Sequence, residues 1–302
     1  MFHLGGLILG NFDAVPQYQI SYLVALGFTV VVPNYRLTPQ VSAVQSFGDC
    51  EDAYDWAVGG SLSGILRQQR PGLTLDSTRV VAMGHSTGGT MALHIASCKS
   101  LKAVTAFYPS LFLSDTSTSA HKPSTTPIYS GMPDYWPGGK DWAQINPVHC
   151  QVSDVALTPP GASLGPRNKW QVQLLKEGVW MSTIQPDGRF ATIDPMTRLA
   201  PDWPPVMIVQ GEHDNVPGSS LELAFRAARE MMAAGMENVE VEVVSGQSHA
   251  FDLAPGASGR GDVRWTSTAK GLNWLNSHFG DEKKPVKRRY MPQMDVHIRY
   301  ER

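Results

Sequence analysis

The sequence predicts an α/β fold: a mostly parallel central sheet with helices on both faces. Two observations carry this. Short apolar runs rich in β-branched residues alternate with helix-periodic segments along the 302 residues, as strands buried on both faces by crossover helices do. The alternation breaks once, over residues 110–204, which are rich in Pro, Ser, Thr, Gly and Trp. That stretch is too long for a plain loop and reads as an inserted lid or cap, leaving one domain over 1–280.

The elements follow in order. Residues 17–26 place Ile20, Leu23 and Val24 on one helical face, and Gly27 ends the helix. "FTVVVPNY" (28–35) reads as a buried parallel strand. Phe47, Cys50, Tyr54 and Val58 mark a helix over 43–58, and "TRVVAMG" (78–84) a second strand. A helix over 87–97 and a strand over 102–109 complete the first half. After the insertion, 204–211 reads as a strand, and Ser219 with Glu222 forms a capping box for a helix over 220–234. Leu221, Ala224, Phe225 and Ala228 are its expected buried stripe. A strand over 239–246 follows, then a helix defined by Trp265, Ala269, Leu272, Leu275 and Phe279. Residues 281–302 are charged and non-periodic, as a disordered, solvated tail would be.

Composition excludes several classes. A net charge of −2 gives no basic footprint for nucleic acid. Three scattered cysteines without a CxxC indicate neither a disulfide framework nor a zinc site. The longest apolar run, 28–33, is too short to span a bilayer, and no signal peptide opens the chain. With Met1 as the true N-terminus, a cytoplasmic protein is expected. A homodimer is left open.

The chemistry concentrates at three places. Gly84-His85-Ser86-Thr87-Gly88 is a GxSxG between a predicted strand and helix, as a nucleophile elbow requires. The flanking glycines remove side chains that would clash with a strained serine, and the helix N-terminus favours developing negative charge. A serine needs a base, and the base needs a carboxylate to hold its tautomer. His249 follows the last strand. Asp214 follows the strand before it and competes with Glu212; Asp214 is preferred because it lies further into the loop. The oxyanion formed on a carbonyl needs preorganised N–H donors. Thr87 supplies one, and "FHLGG" offers Gly5 and Gly6. His85, His94 and His213 read as structural or exposed.

Together these motifs resemble the α/β-hydrolase fold, and within it the hormone-sensitive-lipase-like esterases. The family's H-G-G-G, "DYRLAPE", GxSxG, Asp and "GHAF" motifs appear as His3-Leu4-Gly5-Gly6, "NYRLTPQ" (34–40), "GHSTGG" (84–89), "GEHD" (211–214) and "SHAF" (248–251). The resemblance covers 3–279, weakly over 110–204. It implies a carboxylic-ester hydrolase with no cofactor. Leu4 departs from the first family glycine, and Asn34 and Gln40 replace acidic residues of a structural ion-pair region. Members carry strands ahead of the His-Gly motif, whereas only Met1 and Phe2 precede His3 here. The sheet is therefore expected to lack at least one interior N-terminal strand.

The expected partner is a small-molecule ester, with Tyr129, Tyr135, Trp136, Trp142, Trp170 and Trp180 supplying an aromatic lid for an apolar or aromatic group, natural-product intermediates included. The rivals are an arylformamidase or peptidase of the same fold, and a non-hydrolytic tailoring or binding protein built on it.

Overall fold

Four parallel strands organise the chain, in the order β1 (Val81–His85), β2 (Ala103–Phe107), β3 (Val206–Gly211) and β4 (Val239–Val244). The computed structural model describes residues 1–158, 162–254, 256–259 and 261–279, so the expected tail over 281–302 lies outside the described residues. Ten helices are described: α1 (Gln17–Ala25), α2 (Ala43–Val58), α3 (Ser61–Gln69), α4 (Thr87–Cys98), α5 (Pro127–Ser130), α6 (Gly139–Ile145), α7 (Pro166–Glu177), α8 (Trp180–Ile184), α9 (Leu221–Ala233) and α10 (Val263–Ser277).

Alternation along the strands divides the core in two. Ala82, Val104, Ala106, Val206 and Ile208 pack with α2, α4 and α9, through residues such as Phe47, Met91 and Met231. Met83, Ala103, Phe107, Met207 and Val209 pack with Leu23 of α1 and Leu272 and Leu275 of α10. Gly271 lets α10 lie against the sheet, since a Cβ there would meet Thr105 Cγ2 at 2.9 Å; Thr105 Oγ1 donates to Gly271 O at 2.8 Å. β2 and β3 are buried throughout, and β4 is the half-exposed edge. Among the described residues no helix is long and apolar enough to cross a membrane.

Four expectations need correction. Residues 28–35 do not form a strand. They run alongside Met1 and Phe2, which occupy the position next to β1: Phe2 N donates to Met83 O (2.9 Å), His85 N to Phe2 O (3.2 Å) and the Met1 nitrogen to Val31 O (2.7 Å). Two residues give too few rungs for a ladder, so the apolar run is half-buried and not buried. On α1, Val24 is 55% exposed while Gln19 is buried, because Gln19 serves a polar network described below. The cap of α9 is Ser220, whose Oγ accepts from Leu223 N at 3.2 Å. Ser219 instead donates to Tyr108 O and Pro109 O. Phe225 lies on the outer face of α9, and Ala227 and Met231 complete the buried stripe. Residues 110–204 contribute α5 to α8, short helices whose Pro and Gly breaks obscured their period.

Candidate active site

Ser86 sits between β1 and α4 at φ 56°, ψ −126°, a conformation costing about 1–3 kcal/mol for a non-glycine residue. Backbone crowding explains the glycines around it. A Cβ at Gly84 would lie 2.0 Å from Gly88 O, and one at Gly88 would lie 2.3 Å from Phe2 O and 2.5 Å from His3 O. The second contact joins the Ser86 turn to the N-terminal loop.

The structure brings Ser86, His249 and Asp214 into one chain of hydrogen bonds. His249 Nε2 lies 2.9 Å from Ser86 Oγ, and Nδ1 lies 2.7 Å from Asp214 Oδ2. Asp214 has a fully buried side chain and accepts from Gln210 Nε2 (2.8 Å) and Val216 N (3.0 Å). With a carboxylate on Nδ1, the imidazole carries its proton there and presents a lone pair to the serine. Glu212 points elsewhere: its carboxylate accepts from Gly246 N and Ser245 Oγ, which hold its pKa below the usual range.

A second polar network lies behind the first. His85 Nε2 is 3.1 Å from Asp252 Oδ2 and 3.0 Å from Gln19 Oε1. Asp252 also accepts from Tyr108 Oη (2.5 Å) and Gln19 Nε2 (2.6 Å). Burial opposes ionisation of Asp252, yet the His85 charge and these hydrogen bonds hold its carboxyl below the ordinary value. The Tyr108 ring packs edge-on against His249 at 4.7 Å, so this network braces the His249 loop. The residues flanking the motifs gave only one signal for it: polar side chains set among apolar neighbours.

The N-terminal loop forms the opposite wall. Gly5, Gly6 and Thr87 line the pocket with Ser86 and His249. Gly5 and Gly6 adopt φ 133° and 63°, and a Cβ on Gly5 would meet Leu9 O at 2.1 Å. Among the described residues their N–H groups meet no acceptor. His3 is buried and stacked on Tyr35 at 4.1 Å, with Nδ1 2.9 Å from Leu4 O. Burial lowers its pKa to about 4, against the opposing effects of the Leu4 carbonyl and Asp154. His3 is thus neutral at pH 7 and donates from Nδ1. Where the sequence shows Gln40 for an acid, Gln40 accepts from Arg167 Nη2 at 2.6 Å and donates to Ile145 O at 2.6 Å.

The cavity is about 560 Å³, the size of a small-molecule site. Leu4, Leu9, Leu157, Val172 and Leu175 make it chiefly apolar, with Trp180 and Tyr129 among its walls. The Tyr129 hydroxyl meets no partner among the described residues; burial and the Asp214 charge raise its pKa. Tyr135, Trp136, Trp142 and Trp170 do not line the cavity. Trp142 and Trp170 pack edge to face at 5.6 Å, and Trp136 is 59% exposed. One potential metal-ligand group occurs among the described residues, Glu51, His94 and Cys98, with atoms within 4.8 Å. It lies between α2 and α4, outside the cavity, and His94 Nε2 is already 2.8 Å from Glu51.

A strand–Ser–helix turn after β1, a hydrogen-bonded carboxylate–imidazole pair on the loops after β3 and β4, and a parallel sheet define a hydrolase-type α/β architecture. Residues 1–160 match the family described as alpha/beta hydrolase fold, and the chain belongs to that family. It is similar to the probable carboxylesterase M8 of a Phoma species, 25% identical over 264 residues, which span 84% of this chain and 78% of that protein. It is also similar to the non-reducing polyketide synthase prhL of Penicillium brasilianum, 25% identical over 320 residues. That match spans 92% of this chain and 12% of the synthase. Among solved structures, carboxyl esterase 2 of the mycorrhizal fungus Tuber melanosporum superposes with a TM-score of 0.59 at 17% identity, over 92% of this chain and 77% of that one. That likeness is one of fold.

Proposed function

We propose that the protein is a serine hydrolase that cleaves carboxylic esters through an acyl-enzyme. The observation that carries this is the unbroken Asp214–His249–Ser86 hydrogen-bond chain at the cavity floor, with the serine held at a positive φ. Ser86 Oγ attacks the ester carbonyl while His249 Nε2 takes its proton. Asp214 keeps the imidazole oriented and stabilises its charged form. The Gly5, Gly6 and Thr87 N–H groups hold the oxyanion. His249 then protonates the leaving alcohol, and water hydrolyses the acyl-enzyme by the same route. The 110–204 segment acts as a cap: its Tyr129, Leu157, Val172, Leu175 and Trp180 cover the site.

The apolar, partly aromatic cavity favours esters with an apolar or aromatic acyl or alcohol group. Similarity to a probable carboxylesterase and to a stretch of a polyketide synthase supports an aromatic natural-product ester, with the Tyr129 hydroxyl bonding an oxygen of the substrate. Short p-nitrophenyl esters test the chemistry. Ser86→Ala is expected to lower kcat by roughly 10⁴-fold or more, and Asp214→Asn by roughly 10⁴-fold. Full activity in Ser86→Ala would sink the proposal.

A further inference from the structure

We propose that Trp180 and Gln171, both from the 110–204 segment, are positioning residues that set the geometry of the oxyanion loop. The inference rests on the hydrolase reading above. It starts from an unusual run of backbone: Gly5, Gly6 and Leu7 have φ values of 133°, 63° and 63°. Leu7 is not a glycine, so its left-handed conformation is strained by its own Cβ. Such a conformation persists only where the surroundings fix the peptide planes on both sides.

The planes are fixed as follows. A trans peptide is planar, so its C=O and N–H point in opposite directions. Holding one carbonyl therefore aims the next residue's N–H. Gly5 O accepts from Ile8 N (3.1 Å), Leu9 N (2.9 Å) and Gln171 Nε2 (3.0 Å), and this aims the Gly6 N–H away from that cluster. Gly6 O accepts from Trp180 Nε1 at 2.9 Å and from no other donor among the described residues. Leu7 O accepts from Thr38 N at 2.8 Å. Trp180 is thus the single external hold on the plane between Gly6 and Leu7. Without its N–H that plane is free to rotate and Leu7 relaxes, so the Gly5–Gly6 plane, which carries the Gly6 N–H and is joined to it through the Gly6 Cα, loses the fixed neighbour on its C-terminal side.

Both donors come from the segment that covers the cavity, α7 and α8. The loop that receives the oxyanion is therefore shaped from the cap side as well as from the core. Displacing the cap would loosen the donors together with the pocket wall.

The test uses Trp180→Phe, which keeps the buried ring and removes the N–H, and Gln171→Met, which keeps length and removes the donor. Losing one oxyanion donor outright costs roughly 10²–10³-fold in kcat; a mis-aimed donor is expected to lower kcat by about tenfold or more. KM should stay within about twofold. Affinity for an alkyl boronic acid, whose tetrahedral adduct on Ser86 fills the same hole, should fall in parallel with kcat. Unchanged kcat and boronate affinity, with only a lower melting temperature, would reduce Trp180 to packing and overturn the proposal. If Trp180→Phe fails to fold, the half-buried Gln171→Met carries the test by the same criteria. A wild-type chain that neither turns over p-nitrophenyl butyrate nor takes a fluorophosphonate on Ser86 overturns the hydrolase reading and this inference with it. An active wild type with both variants unimpaired overturns this inference alone.

Discussion

His3 shows how a motif residue can be built into the fold instead of the chemistry. Its ring is buried on Tyr35, its Nδ1 holds the carbonyl of Leu4, and its Nε2 meets no partner. Burial is what lowers its pKa from 6.5 to about 4. The unfolded chain protonates this histidine below about pH 6.5, the folded chain only near 4, so acid favours the unfolded state across that interval. The contribution to stability is complete above pH 6.5 and is lost as pH falls toward 4. At ~1.4 kcal/mol per pH unit, it is worth on the order of 3 kcal/mol. His3→Asn keeps a donor near Nδ1 and removes the titration. Its melting temperature should fall less than that of the wild type between pH 7 and 4.5; equal losses would show that His3 is not the titrating group. At this scale the sequence was most legible where a motif demands strain. Chain order puts Ser86, His249 and Asp214 forward as candidates, and only the folded loop decides which carboxylate, Asp214 or Glu212, meets His249. Tyr108, Asp252 and His85 could not be assigned, because each acts through a partner distant in sequence, and Gln210, four residues from Asp214, sits in a strand that otherwise reads as apolar.

Elements were legible where burial is two-sided. β2 and β3 are buried throughout and apolar but for Thr105 and Gln210, and were placed to within about two residues. Residues 28–35 carry the same pattern and form no strand, because a strand is made by its neighbour and the segment beside them pairs with the sheet only through the isolated Phe2–Gly84 bridge. The helices within 110–204 were not legible: at four to twelve residues, interrupted by Pro and Gly, they show little period. The Ser86 turn is the element where sequence and packing agree most closely. Gly88→Ala would push a methyl group into Phe2 O and His3 O, separating α4 from the N-terminal loop. Overpacking of this kind costs about 1–3 kcal/mol. The variant should melt at lower temperature and also lose kcat, as the Gly5 and Gly6 N–H groups proposed to hold the oxyanion move from Ser86. A variant with lower stability and unchanged kcat would uncouple the two.

For the molecule as a whole, the sheet has a firm centre and two unequal margins. β1 to β4 are joined rung by rung, whereas residues 28–34 touch the sheet side through the Met1–Val31 hydrogen bond. Amide exchange should reflect this, since protection follows hydrogen bonding and burial. The amides of Val30, Val31 and Val32 are expected to exchange well before those of 104–107. Equal protection would mean that residues 28–34 are paired to the sheet by more than the Met1–Val31 hydrogen bond. The N-terminal loop that lines the cavity is thus attached beside the weaker margin and is held by the Ser86 turn on one side and by α7 and α8 on the other.

The central claim is that Ser86 is a nucleophile activated by His249 and Asp214. The most direct measurement is intact-mass and peptide mapping after treatment with a fluorophosphonate, which loses fluoride and phosphonylates only an activated serine at an appreciable rate. The result expected is a single adduct on the peptide containing Ser86, absent from Ser86→Ala and strongly slowed in Asp214→Asn. A native protein that forms no adduct, or one whose adduct survives Ser86→Ala, would contradict it.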